Sequence, residues 1–146
     1  MNAELYYEDI EIGDEIGPLE RTVTLAQVQT FLAIRSQRPG PTRFTDEAQA
    51  QSEGLPGPIV PGAMNTAMVA QLLTGWSPTV KLKQLEVSFR QVVRHNTRLE
   101  IKGVVTAKQV VDQEAQVECD VSMENDEGSI HVMGHATVVL PLRRSG

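Results

Sequence analysis

The sequence predicts an α+β fold in which an antiparallel β-sheet packs around one long helix. The helix is predicted from a run of small and apolar residues over 62–73 that carries no charged side chain. The sheet is predicted from residue 80 onward, where apolar and polar residues alternate with a period of two. No helical pattern separates these strands, so neighbouring strands are expected to run antiparallel. A sheet that covers an apolar helix in this way is an α+β layer arrangement.

The composition restricts the class of protein. The chain has 146 residues, the length of one domain, and we assign 1–146 to a single domain. Its formal charge of -6 disfavours nucleic acid as the main partner. No apolar run has the length of a membrane span, and the acidic N-terminus does not resemble a signal peptide. We therefore expect a cytoplasmic protein that does not associate with membranes.

The metal-ligating and nucleophilic residue types are sparse. Cys119 is the single cysteine, which excludes an internal disulfide and a cysteine-rich zinc site. Cys119 alternates with apolar residues in a predicted strand, so a buried thiol is expected. His95 is predicted in a solvent-facing turn, and His131 and His135 on the outer face of the sheet or at a dimer interface. None belongs to a metal-binding or catalytic motif, and we predict no metal.

The N-terminal half contains turns, a short strand and two helices. The acidic segment 4–17 has glycines at two turns, and 19–23 is predicted as a strand. Thr24 and Gln27 fit a capping box for the first helix, which must end by 39–41. Its predicted apolar side consists of Leu25, Val28, Phe31, Leu32 and Ile34.

A second helix is predicted between Thr45 and Gly54. Thr45 is expected to cap it, and Asp46 and Glu47 to complement the helix dipole in its first turn. Farther along, 75–78 ends the central helix, and 125–128 is predicted as the turn between the last two strands. The apolar positions that alternate in the strands are Leu85, Val87, Phe89, Leu99, Ile101, Val117, Cys119, Val121, Met123, Ile130, Val132, Gly134, Ala136, Val138 and Leu140.

The start of the central helix is a candidate ligand site. The first N–H groups, at Gly62 and Ala63, have no intrahelical acceptor and carry a partial positive charge. Either a carbonyl group or an anion docks there, or the segment is simply a core helix preceded by a turn. Basic residues, which either face solvent on strands or bind ligand phosphates, occur at Lys81, Lys83, Arg90, Arg94, Arg98 and Lys102.

Four segments, in order along the chain, carry a resemblance to a known family. The segments 7–15, 54–64, 85–89 and 134–141 resemble the MaoC-like, or (R)-specific enoyl-CoA hydratase 2, branch of the hot-dog fold proteins. The resemblance spans nearly the whole chain. It implies a hot-dog fold, with a curved antiparallel sheet wrapped around the long central helix, and a dimer formed through sheet edges.

The resemblance also implies where catalytic residues should lie. Family members carry the motif Ser-Gly-Asp-x-Asn-Pro-(aliphatic)-His, and the Asp and His activate a water for addition to an enoyl thioester. Ala50 places Phe44 at the histidine position, and the aspartate position falls near Pro39, or at Gln37 or Arg38. Phenylalanine cannot transfer a proton, and arginine stays protonated. The motif is therefore degenerate, and no residue is assigned a catalytic role.

The remaining site residues are expected to bind substrate. In the family, a backbone N–H at the start of the central helix polarises the thioester carbonyl. Arg38 and Arg43 either approach a carboxylate or phosphate or lie on the loop surface. Asp46 and Glu47 are the nearest acids, and helix capping explains them. The predicted substrate-binding residues are Arg38, Arg43, Phe44, Pro61, Gly62, Ala63 and Asn65.

Three functions follow from the resemblance. The first is an acyl-CoA hydratase or dehydratase with unusual catalytic groups. The second is a non-catalytic acyl-thioester-binding subunit of a heteromer, in which a competent MaoC-like chain supplies the Asp and His. The third is a hot-dog thioesterase that uses Asn65 or Thr66. In each, the ligand is an acyl-CoA or acyl-carrier thioester, no other cofactor is expected, and the chain forms a homodimer or a heteromer.

Overall fold

A computed structural model describes residues 3–35 and 40–143 of the chain. A single turn of 3-10 helix at Tyr7–Asp9 precedes the main elements. The described strands are β1 (Glu15–Thr22), β2 (Lys81–Phe89), β3 (Arg98–Val111), β4 (Glu114–Asn125) and β5 (Ile130–Val139), and the α-helices are α1 (Leu25–Arg35), α2 (Glu47–Ser52) and α3 (Gly62–Thr74).

The strands form one antiparallel sheet in the order β1-β3-β4-β5-β2. The predicted turn between β4 and β5 is confirmed, since the N–H of Gly128 donates to the carbonyl of Asn125 over 3.0 Å. A tighter turn joins β3 to β4, where Asp112 and Gln113 both have positive φ. β1 was predicted to begin at Leu19 but begins at Glu15. It pairs with β3 both before and after a register irregularity between Ile16 and Leu19.

Helix α3 packs against β1, β2, β3 and β4 and forms the centre of the core. Its buried side consists mainly of Met68, Val69, Leu72 and Leu73. The opposite side is exposed and carries the small or polar residues Ala63, Ala67, Gln71 and Thr74. The prediction of a central helix is confirmed, but in the single chain this helix is buried along one side and not all round.

The core is made by the inward-facing residues of the sheet. Cys119, Met123, Val132 and Val138 are fully buried, as the alternation predicts. Phe89 differs, because it lies at the end of β2 and is 54% exposed. On α1, Val28 is fully buried, whereas Ile34, predicted on the apolar side, is 81% exposed.

The helix caps confirm one prediction and correct another. Thr24 and Gln27 form the capping box, with bonds of 2.9 and 3.3 Å between side chains and backbone N–H groups. Helix α2 is capped by Asp46, whose carboxylate accepts from the N–H of Gln49 over 2.8 Å. Thr45, predicted as the cap, instead accepts from the N–H of Thr42 through its hydroxyl.

Among the described residues, no helix is long and apolar enough to span a membrane.

Candidate functional site at the start of helix α3

The backbone at the start of α3 leaves two N–H groups without a partner. Pro61 is the residue before the helix and has an extended conformation, with φ -57° and ψ 141°. Its carbonyl accepts from the N–H groups of Met64 and Asn65, over 3.0 and 3.2 Å. No acceptor within the described residues bonds to the N–H of Gly62 or of Ala63. These two donors lie at the positive end of the helix dipole.

A cavity of about 230 Å³ opens beside this helix start. The ring of Phe89 lies against Gly62, so that a Cβ added to Gly62 would be 3.2 Å from Cζ of the ring. Glycine at this position keeps the space between the helix and the end of β2 open. The lining residues are Ile59, Val60, Gly62, Asn65, Phe89, Arg90, Gln91 and Val92.

Asn65 is the polar residue on the helical wall of the cavity. Its side chain is only 3% exposed, and Oδ1 is enclosed without a hydrogen-bond partner. A buried polar atom without a partner costs about 1–3 kcal/mol of folding free energy. Because native proteins satisfy most of their buried polar atoms, Asn65 is an unusual feature of this wall.

The segment after β2 forms the other wall. The N–H groups of Arg90 and Gln91 donate to the carbonyl of His131 over 2.8 and 3.3 Å, which places both residues over the cavity. The side chains of Arg90 and Gln91 are exposed, and among the described residues the Arg90 guanidinium is the only charged group in the lining. No carboxyl or imidazole group lines this cavity among the residues that the structure describes.

Comparison with known proteins identifies the family. A family model described as "MaoC like domain" matches residues 10–127. The chain belongs to the MaoC-like family. No curated protein sequence matches it.

Solved structures of MaoC-like proteins share the fold. The (R)-hydratase of A. caviae involved in PHA biosynthesis is 22% identical, with a TM-score of 0.79 over 92% of this chain and 99% of that one. The MaoC-like dehydratase of Rhodospirillum rubrum is 22% identical, with a TM-score of 0.82 over 97% and 99%. A chain of the ChsH1–ChsH2 complex of Mycobacterium tuberculosis is 20% identical, with a TM-score of 0.74 over 89% and 98%. The predicted hot-dog fold is thereby confirmed.

The cavity contains some of the residues predicted to bind substrate in this MaoC-like chain. Gly62 and Asn65 line it, and Pro61 and Ala63 adjoin it in the first turn of α3. Arg43 does not line this cavity, because its guanidinium pairs with Glu53 at 2.7 Å and lies 5.9 Å from the centre of the Phe44 ring. Phe44 itself packs against the core. The predicted positions Gln37 and Arg38, with Pro39, lie outside the described residues.

The histidines differ in part from the predictions. His131 is buried, because Asn125 and the carbonyl of Val92 contact its ring nitrogens at 3.1 and 3.0 Å. His95, predicted to contact solvent, is half-buried, and its Nε2 is enclosed without a partner. His135 lies exposed on the outer sheet face, as predicted.

Sequence reasoning did not find the second wall of the cavity. Phe89 was predicted as a core residue by its alternation with Leu85 and Val87, and Arg90 only as one of several strand lysines and arginines. The signal that places them here is the contact of Phe89 with Gly62. That contact joins segments far apart in the sequence, which no local pattern reveals.

Within the described residues, no group of His, Cys, Asp and Glu is arranged to hold a metal ion.

Proposed function

We propose that this MaoC-like chain binds an acyl thioester with its carbonyl oxygen at the start of α3, and takes part in hydratase or dehydratase chemistry. The observation that carries the proposal is the pair of unpartnered N–H groups at Gly62 and Ala63, beside a cavity of about 230 Å³. Donors fixed by a helix need no rearrangement when a ligand arrives.

The chemistry at this point is the stabilisation of negative charge. Adding water across a double bond next to a thioester, or removing it, moves electron density onto the carbonyl oxygen. Two backbone donors and the positive end of a 13-residue helix oppose that charge at a low cost in reorganisation. Removing one such donor typically reduces a rate about 100- to 1,000-fold.

The other wall suits the rest of a thioester ligand. Phe89 and Val92 are exposed by 54% and 42% and give an apolar surface for an acyl or pantetheine chain. Arg90, beside them, is suited to a phosphate group of CoA or of a phosphopantetheine carrier. The ligand in this proposal is therefore an acyl-CoA or an acyl-carrier thioester.

A second candidate function is a binding subunit whose general base comes from another chain. It is favoured by the absence of carboxyl and imidazole groups from the cavity lining of the described residues. Among the described strands, β2 pairs only with β5, so its other edge can pair with a second chain. The ChsH1–ChsH2 complex shows that chains of this fold occur in two-component assemblies. The partner in this alternative is a MaoC-like chain that carries the Asp and His.

The first test combines binding and turnover with one backbone donor removed. Wild type is titrated with butyryl-CoA by calorimetry and incubated with crotonyl-CoA, with enoyl absorbance and free thiol followed in parallel. Gly62→Pro removes the Gly62 N–H, and the fold should accept it, because proline suits a first helical position and Pro61 already has the extended ψ of 141° that a following proline requires. We expect affinity to fall at least about tenfold, as for the loss of one buried hydrogen bond to a ligand.

Gly62→Ala is the matched control, because it keeps the N–H and adds only a methyl group beside the exposed Phe89 ring. It should weaken binding less than Gly62→Pro. Unchanged affinity in a folded Gly62→Pro protein would contradict the proposed site. Hydration of crotonyl-CoA by the purified chain indicates a lyase, binding without turnover indicates the subunit function, and thiol release indicates the thioesterase alternative.

A further inference from the structure

The cavity wall formed by residues 89–92 is held in place by one histidine. β2 ends at Phe89, so residues 90–92 lie outside the regular strand pairing. The N–H groups of Arg90 and Gln91 donate to the backbone carbonyl of His131. The carbonyl of Val92 lies 3.0 Å from Nδ1 of the ring of the same histidine. His131 is therefore bonded to three successive residues of this wall.

The ring of His131 is oriented by Asn125, at the end of β4. Only 5% of His131 is exposed, and Nε2 lies 3.1 Å from Nδ2 of Asn125. The side-chain oxygen of Asn125 accepts from the N–H groups of Glu127 and Ser129, over 2.9 and 3.1 Å. Turning the amide over would point its NH2 group at these two donors, so the β4–β5 turn fixes the amide with its nitrogen toward His131.

These contacts determine which ring nitrogen of His131 carries the proton. A backbone carbonyl only accepts, so Nδ1, which faces Val92, must be the donor. The amide nitrogen of Asn125 only donates, so Nε2 must be the acceptor. The two contacts independently require the same state, a neutral imidazole with its proton on Nδ1. In this state both ring nitrogens are paired, as a buried imidazole requires.

The wall is also bonded to the segment that leads into α3. The N–H of Val60 donates to the carbonyl of Val93 over 2.7 Å, and both residues are buried. Val60 lies two positions before Gly62, whose N–H is part of the proposed thioester site. Because Val92 and Val93 are consecutive, the bond from His131 and the bond from Val60 together set the distance between the wall and the helix start.

We propose that His131 is a positioning residue of the thioester site, whose Nδ1–H fixes Val92 and so holds the 89–92 wall at the distance from α3 that a CoA thioester fills. The inference rests on the proposed thioester site. A wall that is already fixed loses little conformational entropy when the ligand binds, which favours affinity. His131 does not line the cavity, so neither a ligand contact nor a proton transfer is assigned to it.

The test compares two substitutions of nearly the same shape. Asparagine and leucine branch at the same atom, but only asparagine can donate to the Val92 carbonyl from the place of Nδ1. Calorimetry measures the affinity of butyryl-CoA for wild type, His131→Asn and His131→Leu. We expect His131→Leu to bind about tenfold more weakly than His131→Asn, as for the loss of one hydrogen bond. His135→Leu, at the exposed histidine of β5, is the control and should bind like wild type.

A shorter thioester separates positioning from a general loss of structure. S-butyryl-N-acetylcysteamine carries the thioester carbonyl but lacks the phosphates of CoA. Its affinity for His131→Leu should fall less than that of butyryl-CoA, because it makes fewer contacts with the 89–92 wall. A loss of equal size for both ligands would show that the substitution only disturbs the fold, and would overturn the proposal.

The proton on the ring is measured directly. NMR correlation of the ring nitrogens of wild type should show a protonated Nδ1 and an unprotonated Nε2 for His131. A proton on Nε2 alone would overturn the proposal, because Val92 would then have no donor.

The outcomes also separate the two proposals. If butyryl-CoA does not bind to wild type, the proposed thioester site is wrong, and the role of His131 in it is wrong as well. If butyryl-CoA binds to wild type and equally well to His131→Asn and His131→Leu, the thioester site stands and the role of His131 is overturned.

Discussion

The two faces of strand β4 give neighbouring residues opposite chemical properties. Cys119 faces the core, and burial raises the pKa of its thiol to about 12, with a further contribution from the charges of Asp120 and Glu118. Such a thiol stays protonated at neutral pH and is not a nucleophile. On the outer face, the ring of His135 lies between the carboxylates of Asp120, at 3.0 Å, and Glu118, at 3.3 Å.

His135 should therefore titrate above its ordinary range. The hydrogen bond with Asp120 is the largest cause of its raised pKa, and the bond with Glu118 adds to it. We expect Asp120→Asn to lower the pKa of His135, measured by NMR titration of its ring protons. Asp112→Asn, at the exposed β3–β4 turn, is the control and should leave the titration unchanged. An unaltered His135 titration in Asp120→Asn would show that the bond does not form in solution.

The contact between His135 and Asp120 makes the free energy of unfolding depend on pH. Because the pKa of His135 is raised in the folded chain, its stabilising effect is complete below its unfolded pKa of about 6.5 and is lost as pH rises through the folded value. The wild type should exceed Asp120→Asn in free energy of unfolding in mildly acidic solution, and the difference should shrink as the pH rises. The difference should stay below about 1 kcal/mol, because the His135 side chain is 47% exposed.

At the scale of secondary-structure elements, the pairing of β5 with β2 requires the two backbones to lie close together at Gly134. It lies opposite Val87 of β2 and Val121 of β4. A Cβ at Gly134 would be 2.5 Å from the carbonyl oxygen of Glu86, closer than real side chains come to a backbone atom. The backbone of β2 would have to shift, and β2 ends in the Phe89 wall of the cavity.

Gly134→Ala should therefore lower the free energy of unfolding by about 1–3 kcal/mol, the usual cost of overpacking a core. Urea denaturation followed by circular dichroism measures this loss. Gly103→Ala on β3 is the graded control, since its Cβ would lie 3.2 Å from the nearest backbone atom and the neighbour need shift only slightly. Equal stability of Gly134→Ala and wild type would show that β2 can shift without lowering the free energy of unfolding.

At the scale of the whole molecule, the N-terminal segment joins distant parts of the chain. The N–H of Leu5 donates to Oγ of the buried Ser77 over 2.9 Å, and the N–H of Tyr7 donates to the carbonyl of Pro141 over 2.9 Å. The Arg143 guanidinium pairs with the Asp9 carboxylate. These contacts hold the start of the chain against the residues that follow α3 and β5.

Ser77→Ala should loosen this segment. Loss of the hydroxyl leaves the Leu5 N–H without its acceptor, at a cost of about 1 kcal/mol in the free energy of unfolding. Hydrogen exchange of residues 5–10 should accelerate relative to wild type, since the segment then opens locally. Ser88→Ala, on the exposed side of β2, should leave exchange in 5–10 unchanged. Equal protection in both variants would show that the bond from Leu5 is dispensable.

Features that depend on residues close together in the chain were predictable from the sequence alone. Thr24 and Gln27 predicted their capping box, the alternation around Cys119 and Met123 predicted buried strand positions, and the small residues after Pro61 predicted helix α3. The same local pattern placed Gly62 and Asn65, which are predicted to bind substrate, in the first turns of this helix. Helix ends and strand faces follow from hydrogen bonds and periodicities a few residues long, so the local order of side chains is enough to specify them.

Contacts between distant segments became apparent only in the folded chain. Phe89 alternates with core residues yet lies exposed beside Gly62, and His131 is buried because Val92 and Asn125 cover it. The wall at 89–92, and the enclosure of Asn65 without a partner, result from packing between segments that are distant in sequence. Burial is a property of the surroundings in space, and the local pattern of a strand or helix gives which face a residue occupies but not what covers that face.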